Sequence, residues 1–172
     1  ENRVQELQDK YDQIENARWH MIGQLQRNKV KYIVDKVSLI HSLDRLSLAK
    51  EINRQAERIN RVVPVLVQVN PANEESKAGL PYDEIIPFIE TIYNLKSIKV
   101  MGLMLIAPMV EDTETIRPYF TMMKQLFDGI KQDDYPHIEM KHLSMGMSND
   151  FETAIEEGST MVRIGTAIFG RR

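Results

Sequence analysis

Two short polar loops near the end of the sequence carry residue types that bind phosphate. One loop contains Gly146 and Ser148, and the other contains Arg163, Gly165 and Thr166. Glycine lets a ligand approach the backbone closely, and hydroxyl and backbone N–H groups hydrogen-bond phosphate oxygens. Each loop follows a short apolar run, so we predict that both lie at the carboxyl ends of strands, where parallel β/α folds bind ligands. The two loops are therefore candidates for one phosphate site.

Arg163 is the charged residue of an otherwise apolar predicted strand. Strand alternation places Arg163 and Gly165 on one face, opposite Val162 and Ile164. A charged side chain among apolar neighbours requires a partner, because an unpaired buried charge is costly. A bound anion or a ring nitrogen of a ligand would serve, and a structural carboxylate is the alternative.

Ser148 also has a purely structural interpretation. Serine is a common N-cap residue, and the sequence predicts a helix over residues 149–157 that Ser148 would cap. Asp150 and Glu152 in the first turn of that helix would oppose a phosphate. Both roles of Ser148 stay open at this point.

The histidines carry weaker signals. His20 at a strand end could face a ligand or belong to the core, and His41 is interpreted as a loop residue before Ser42, which we predict to cap the next helix. His137 and His142 have no partner at a spacing typical of a metal site. The sequence shows no Ser-His-Asp or paired-carboxylate arrangement.

Apolar runs alternate with helix-periodic segments along the whole sequence. This alternation predicts an α/β fold with six parallel strands, either a (β/α) barrel or a doubly wound sheet, in one domain spanning residues 1–172. The predicted strands cover residues 17–23, 37–42, 62–70, 98–108, 138–146 and 160–166. The predicted helices cover residues 3–14, 28–36, 43–60, 82–95, 113–130 and 149–158, with Gly158 closing the last of them.

Composition excludes several classes of protein. The 172 residues are 42% hydrophobic and 27% charged, which is typical of one globular domain. The net charge of −3 gives no electrostatic reason to expect nucleic acid or an anionic membrane as partner. The sequence contains no cysteine, which excludes disulfides and suits a cytoplasmic location. The longest apolar run, residues 100–110, is shorter than the roughly 20 residues needed to span a bilayer.

Several segments together resemble a known family. The sequences "ENRVQE", "WHMIGQLQRNK", "VQVNPANEESKAG", "SMGMSNDFETAIEEG" and "VRIGTAIFG" are similar to those of the pyridoxal phosphate homeostasis proteins. These proteins are single-domain relatives of the N-terminal barrel of alanine racemase. The resemblance runs over essentially the whole chain and implies a (β/α)8 TIM-type barrel with pyridoxal 5′-phosphate at its mouth.

The resemblance also implies a role for each candidate residue. It places Ser148, Gly165 and Thr166 at the phosphate and Arg163 beside the pyridine nitrogen. It further implies Asn2 close to the cofactor, and we expect Gly146 to contribute only close backbone approach. Because arginine stays protonated, it can donate a hydrogen bond to the ring nitrogen but cannot protonate it. The cofactor would then favour only limited carbanion chemistry.

The sequence departs from the family pattern at its start. Family members carry a Schiff-base lysine upstream of the segment that begins here at Glu1, so no lysine of this sequence is assigned that role. We expect the native protein to be longer, with about the first two strands of the barrel preceding Glu1.

The function implied by the resemblance is cofactor buffering or delivery. We expect a monomeric protein that takes part in intracellular pyridoxal phosphate homeostasis, supplies pyridoxal-phosphate-dependent apo-enzymes and lacks robust catalysis. The alternative is an active amino-acid racemase of the same barrel type. Alanine racemase itself adds a C-terminal domain with a catalytic tyrosine, and the sequence shows no such domain before its end at "FGRR". An unrelated phosphate-binding barrel enzyme is a third possibility.

Overall fold

Helices and strands alternate through the part of the chain that is described. The computed structural model describes residues 1–74, 77–108, 110, 112–132, 135 and 138–170. The helices are α1 Val4–Tyr11, α2 Leu46–Arg58, α3 Ile85–Ile92, α4 Arg117–Gln132, α5 Phe151–Glu156 and α6 Thr166–Phe169. The strands are β1 His20–Met21, β2 Leu39–Leu43, β3 Val63–Val69, β4 Ile98–Leu105, β5 Ile138–Met147 and β6 Met161–Arg163. Short 3₁₀ segments lie at Arg27–Tyr32, Tyr82–Glu84 and Thr113–Ile116.

The six strands form one parallel sheet. They pair in sequence order from β1 to β6, and every pairing is parallel. The prediction of an α/β fold with six parallel strands is confirmed. The described residues form a parallel half-barrel with helices. All carboxyl ends of the strands therefore point to one edge of the half-barrel.

The two faces of the sheet are packed differently. The larger core lies between the strands and the helices and includes Ile40, Val65 and Leu143 from the strands and Ile52, Ile89 and Phe120 from the helices. Fully burying one such side chain contributes about 1.5–3 kcal/mol. A smaller cluster of Leu39, Leu66 and Met104 packs with Met101 and Met161 on the other face, which we call the inner face. His41 and Arg163 follow Leu39 and Met161 by two residues, so they continue the inner face toward the carboxyl ends.

The start of α2 differs from the prediction. Ser42 does not cap this helix, because it lies inside β2 and is buried. Pairing between β2 and β3 continues to Leu43 opposite Val67, which extends the strand past Ser42. The helix begins at Leu46, and Arg45 occupies the N-cap position without a side-chain hydrogen bond to the helix. Tertiary pairing thus overrides the local capping preference.

The approach of β4 to β5 depends on Gly102. Its φ is +144°, and a Cβ atom added there would lie 1.8 Å from the carbonyl oxygen of His142. Any side chain would push β5 away from β4.

Within the described residues, no helix combines the length and the apolar character needed to cross a membrane.

Candidate functional site

A cavity of about 950 Å³ lies at the carboxyl ends of the strands. Its volume suits a small cofactor. The polar residues that line it include Asn2, His20, His41, Ser148, Asn149, Asp150, Arg163 and Thr166, and the apolar ones include Ile106, Pro108, Ile116 and Met161. Five of the six predicted site residues meet here, namely Asn2, Ser148, Arg163, Gly165 and Thr166.

Arg163 reaches from β6 across the inner face. Its Nη1 group donates to the carbonyl oxygen of Ser144 at 2.9 Å and to the Ser144 hydroxyl at 2.8 Å. Its Nη2 group donates to the carbonyl oxygen of Leu105 at 2.7 Å. The partners that the sequence required are therefore carbonyl and hydroxyl oxygens. Burial lowers the pKa of Arg163 to about 10, and the nearby Asp150 opposes this effect, so the guanidinium stays protonated at neutral pH.

Two histidines extend this hydrogen bonding across the inner face. Nδ1 of His41 lies 3.0 Å from the Ser144 hydroxyl oxygen, and Nε2 of His41 lies 3.1 Å from Nδ1 of His20. His41 is 1% exposed and Ser144 is 0% exposed. Burial lowers the pKa of His41 to about 3 and also lowers the pKa of His20. We call His20, His41, Ser144 and Arg163 the histidine–arginine network.

The interpretation of His41 as a loop residue was wrong. His41 lies within β2 and is buried. Strand alternation from Leu39, applied to the run "VSLIHS", would have placed His41 on the same face as Leu39. The sequence carried no signal for its partner Ser144, which is 103 residues away along the chain.

The two predicted loops meet through Ser148. Its hydroxyl oxygen accepts hydrogen bonds from the backbone N–H groups of Gly165 at 3.4 Å and Ala167 at 3.3 Å. Gly165 and Thr166 are exposed, and Ser148 is half-buried. We call Ser148, Gly165 and Thr166 the rim. A hydroxyl and backbone N–H groups that lie together can donate hydrogen bonds to an anionic oxygen.

The prediction that Ser148 caps the helix after it was wrong. Helix α5 begins at Phe151, and Asp150 occupies the N-cap position. The carboxylate of Asp150 accepts a hydrogen bond from the backbone N–H of Met147, which closes the turn after β5. This turn leaves the hydroxyl of Ser148 directed to the loop after β6.

Gly146 serves a different purpose from the rim. It does not belong to the residues that line the cavity. Its φ is +95°, and an added Cβ would lie 2.7 Å from Cβ of Ala154 and 3.1 Å from Cα of Phe151. Glycine at this position therefore lets α5 pack closely on β5. Its contact with a cofactor stays a prediction.

Asn2 borders the cavity beside β1, at the edge of the sheet opposite to β6. The backbone N–H of Ile22 donates to the carbonyl oxygen of Glu1 at 2.9 Å, which holds this segment beside the end of β1. Gly23 allows this approach, because a Cβ atom there would lie 2.0 Å from the carbonyl oxygen of Asn2. Asn2 is exposed and lines the cavity.

A metal centre finds no support in the described residues. They contain no group of three or more His, Cys, Asp or Glu side chains placed to hold a metal ion. His137 lies outside the described residues. The arrangement that is described, with a permanent cation in the network and N–H groups at the rim, can bind a small anionic ligand.

Comparison with known proteins gives concordant matches. The family described as alanine racemase, N-terminal domain, matches residues 1–172. A pyridoxal phosphate homeostasis protein of Aquifex aeolicus is 49% identical over 174 residues, which cover 100% of this chain and 75% of that protein. The crystal structure of a protein from Bifidobacterium adolescentis is 37% identical, with a TM-score of 0.88, and the match covers 98% of this chain and 73% of that one. PipY of Synechococcus elongatus with PLP bound is 31% identical, with a TM-score of 0.87 and coverages of 98% and 79%.

Proposed function

Because the chain belongs to the alanine racemase N-terminal domain family, we propose that it binds pyridoxal 5′-phosphate and takes part in pyridoxal phosphate homeostasis. The observation that carries this proposal is the convergence of the rim and the network on one cavity. The rim offers neutral donors to a phosphate, and the network offers a protonated guanidinium to the remainder of the ligand. The names of several relatives and the PLP-bound PipY structure support the same ligand.

The residues fit this cofactor. The hydroxyls of Ser148 and Thr166 and the backbone N–H of Gly165 would hold the phosphate. The Nε–H of Arg163 donates to no protein acceptor within the part of the chain that is described, which leaves it available to donate to the pyridine nitrogen. Asn2 would contact the cofactor from the other side of the cavity.

We infer that the protein buffers or delivers the cofactor without robust turnover. Bound pyridoxal phosphate supplies an aldehyde and an electron-withdrawing pyridine ring. Arg163, with a pKa of about 10, would donate a hydrogen bond to the ring nitrogen and would keep its own proton. The ring would then withdraw electrons less strongly than a protonated one. The homeostasis names of the relatives favour this function over the racemase alternative.

We further propose that the half-barrel belongs to a closed (β/α)8 barrel in a single domain. The strands at its two edges, β1 and β6, each pair on one side only within the described residues, and an edge strand presents unpaired backbone groups to a further strand. Two additional strands, the first carrying the Schiff-base lysine, would complete the barrel. We propose a monomeric cytoplasmic protein that passes the cofactor to pyridoxal-phosphate-dependent apo-enzymes.

A binding titration tests the proposed function. Pyridoxal 5′-phosphate should bind saturably in equilibrium dialysis, and pyridoxal, which lacks the phosphate, should bind at least tenfold more weakly because it cannot occupy the rim. A Ser148→Ala, Thr166→Ala double variant should lose that preference. Ser47→Ala, on the exposed side of α2, is the matched control and should keep it. Equal binding of the two compounds by the unaltered protein would contradict the phosphate role of the rim.

Two further assays test the chemistry. Borohydride reduction with peptide mapping should trap no stoichiometric adduct at a lysine of these 172 residues. An adduct at one lysine would place the Schiff base within this sequence. Rapid racemisation of alanine by the loaded protein would overturn the non-catalytic function.

A further inference from the structure

The hydrogen bonds of the histidine–arginine network all run from donor to acceptor in one direction, beginning at Arg163. A guanidinium has only donors, so the Ser144 hydroxyl oxygen accepts from Nη1 of Arg163 at 2.8 Å. The hydroxyl hydrogen of Ser144 then requires an acceptor. Within the described residues, the remaining partner of this hydroxyl is Nδ1 of His41 at 3.0 Å. Nδ1 of His41 therefore accepts.

The same logic sets the tautomers of both histidines. A neutral imidazole carries one hydrogen, so a His41 ring that accepts at Nδ1 carries its hydrogen on Nε2. Nε2 of His41 then donates to Nδ1 of His20 across 3.1 Å. His20 accordingly accepts at Nδ1 and carries its own hydrogen on Nε2. Each hydrogen in the series is oriented by the permanent charge of Arg163.

The surroundings keep both rings neutral, as this direction requires. Burial is the largest effect that lowers the pKa of each histidine. The charge of Arg163 adds to it, as would the charge of His20 or His142 when protonated. For His20 the additional groups are Arg18 and, when protonated, His142. A doubly protonated ring would also place donors against donors in the network.

His20 connects the network to the cavity. Its side chain is partly exposed and lines the cavity, and its Nδ1 is bonded to His41. Its Nε2 group has no hydrogen-bond partner within the residues that the structure describes. A neutral N–H donor that borders a polar cavity without a protein acceptor is suited to bind an acceptor atom of a ligand.

We propose that His20 is a ligand-binding residue that presents a neutral Nε2–H donor to an acceptor oxygen of the cofactor, and that His41 and Ser144 are positioning residues that set this tautomer. This inference rests on the proposed function for the identity of the ligand. The network would join two ligand contacts: that of Arg163 with the ring nitrogen, and that of His20 on β1 with an acceptor oxygen. A tight hydrogen-bonded series also keeps His20 in one orientation before the ligand binds.

The tautomers can be measured in the purified protein without any ligand. Nitrogen-15 NMR of histidine-labelled protein at pH 7 should show His20 and His41 as neutral Nε2–H tautomers. Ser144→Ala removes the hydroxyl that donates to His41, so both rings should shift toward a mixture of tautomers. A neutral Nδ1–H tautomer at His41 in the unaltered protein would overturn the proposal, as would unchanged tautomers in Ser144→Ala.

Cofactor affinity tests the contact itself. His20→Leu removes the donor and should weaken pyridoxal 5′-phosphate binding about tenfold or more, whereas His20→Gln, whose amide N–H can replace Nε2–H, should recover most of the affinity. His142→Gln is the matched control, because His142 lies two residues before Ser144 on β5 and has no hydrogen bond to the network among the described residues. The His142→Gln variant should bind pyridoxal 5′-phosphate with the same affinity as the unaltered protein.

The two proposals fail in distinguishable ways. If the unaltered protein does not bind pyridoxal 5′-phosphate, the proposed function fails, and the ligand-free NMR measurement still decides the direction of the network. If the unaltered protein binds the cofactor and His20→Leu binds it equally well, the role of His20 fails while the proposed function stands. Equal weakening in His20→Leu and His20→Gln would also reject a donor role for His20.

Discussion

The network and the rim border the same cavity but differ in how their polar groups are satisfied. In the network, hydrogen bonds of 2.7–3.1 Å join groups on β1, β2, β4, β5 and β6, and His41 and Ser144 are buried. At the rim, the hydroxyl of Ser148 bonds two N–H groups at 3.3 and 3.4 Å in exposed loops. The fold satisfies the buried polar groups of His41 and Ser144 by itself, whereas the hydrogen bonds at the rim lie in exposed loops and their donors can be taken over by a ligand.

This difference separates stability from affinity. Removing one partner from a buried hydrogen bond leaves the other unsatisfied, which costs about 1–3 kcal/mol for each group. Removing an exposed partner costs little, since water replaces it. Substitutions in the network should therefore reduce both stability and ligand binding, and substitutions at the rim should reduce binding alone.

The largest expected effect is that of Arg163→Leu. This change leaves the carbonyl oxygens of Leu105 and Ser144 without their donor, so we expect the free energy of unfolding to fall by about 3 kcal/mol. Urea unfolding measures the change. Arg58→Leu, which alters an exposed arginine in the last turn of α2, is the control and should change stability by less than about 0.5 kcal/mol. Equal midpoints for the two variants would show that the network does not stabilise the fold.

The pH dependence of stability should show a smaller effect that comes from His41. In the unfolded chain His41 binds a proton below its ordinary pKa of 6.5, whereas in the folded protein its pKa is about 3. Between these values the unfolded state binds more protons, so the free energy of unfolding falls as the pH is lowered, by at most about 1.4 kcal/mol per pH unit. The stabilising contribution is fully present above pH 6.5.

A variant isolates this contribution from that of other groups. His41→Asn keeps an acceptor near Ser144 and removes the titrating ring. The difference in unfolding free energy between the unaltered protein and His41→Asn should therefore change by about 2 kcal/mol between pH 6.5 and pH 4.5. Parallel stability curves over this interval would show that His41 ionises equally in the folded and unfolded states.

The same contrast explains what the sequence could predict. Apolar runs and helix periodicity are local properties, and they correctly predicted six parallel strands and brought Ser148 and Arg163 to one edge. The end of β2 depends on pairing of Leu43 with Val67, which no local pattern around Ser42 records. Local patterns thus favour Ser42 as a helix cap and His41 as a residue of the loop before it, even though both belong to the predicted strand over residues 37–42.

The prediction of Ser148 as the N-cap residue of α5 failed for a related reason. Ser148 and Asp150 are both common N-cap residues and lie two positions apart, so local preference could not choose between them. The contact of Ser148 with Gly165 and Ala167, 17 and 19 residues later, accompanies the choice of Asp150. The sequence could predict which residues form the rim, but only the structure shows that the Ser148 hydroxyl joins the two loops.

The smallest change in stability is expected for Ser148→Ala. The hydroxyl accepts two long hydrogen bonds from exposed N–H groups, and water can replace it, so the free energy of unfolding should change by less than about 0.5 kcal/mol. The same hydroxyl would donate to the phosphate, so the affinity for pyridoxal 5′-phosphate should fall about five- to tenfold, which corresponds to about 1 kcal/mol. Urea unfolding and equilibrium dialysis on one preparation measure both quantities. A loss of stability as large as that of Arg163→Leu would remove the distinction between rim and network, because it would mean that the fold depends on the rim even without a ligand.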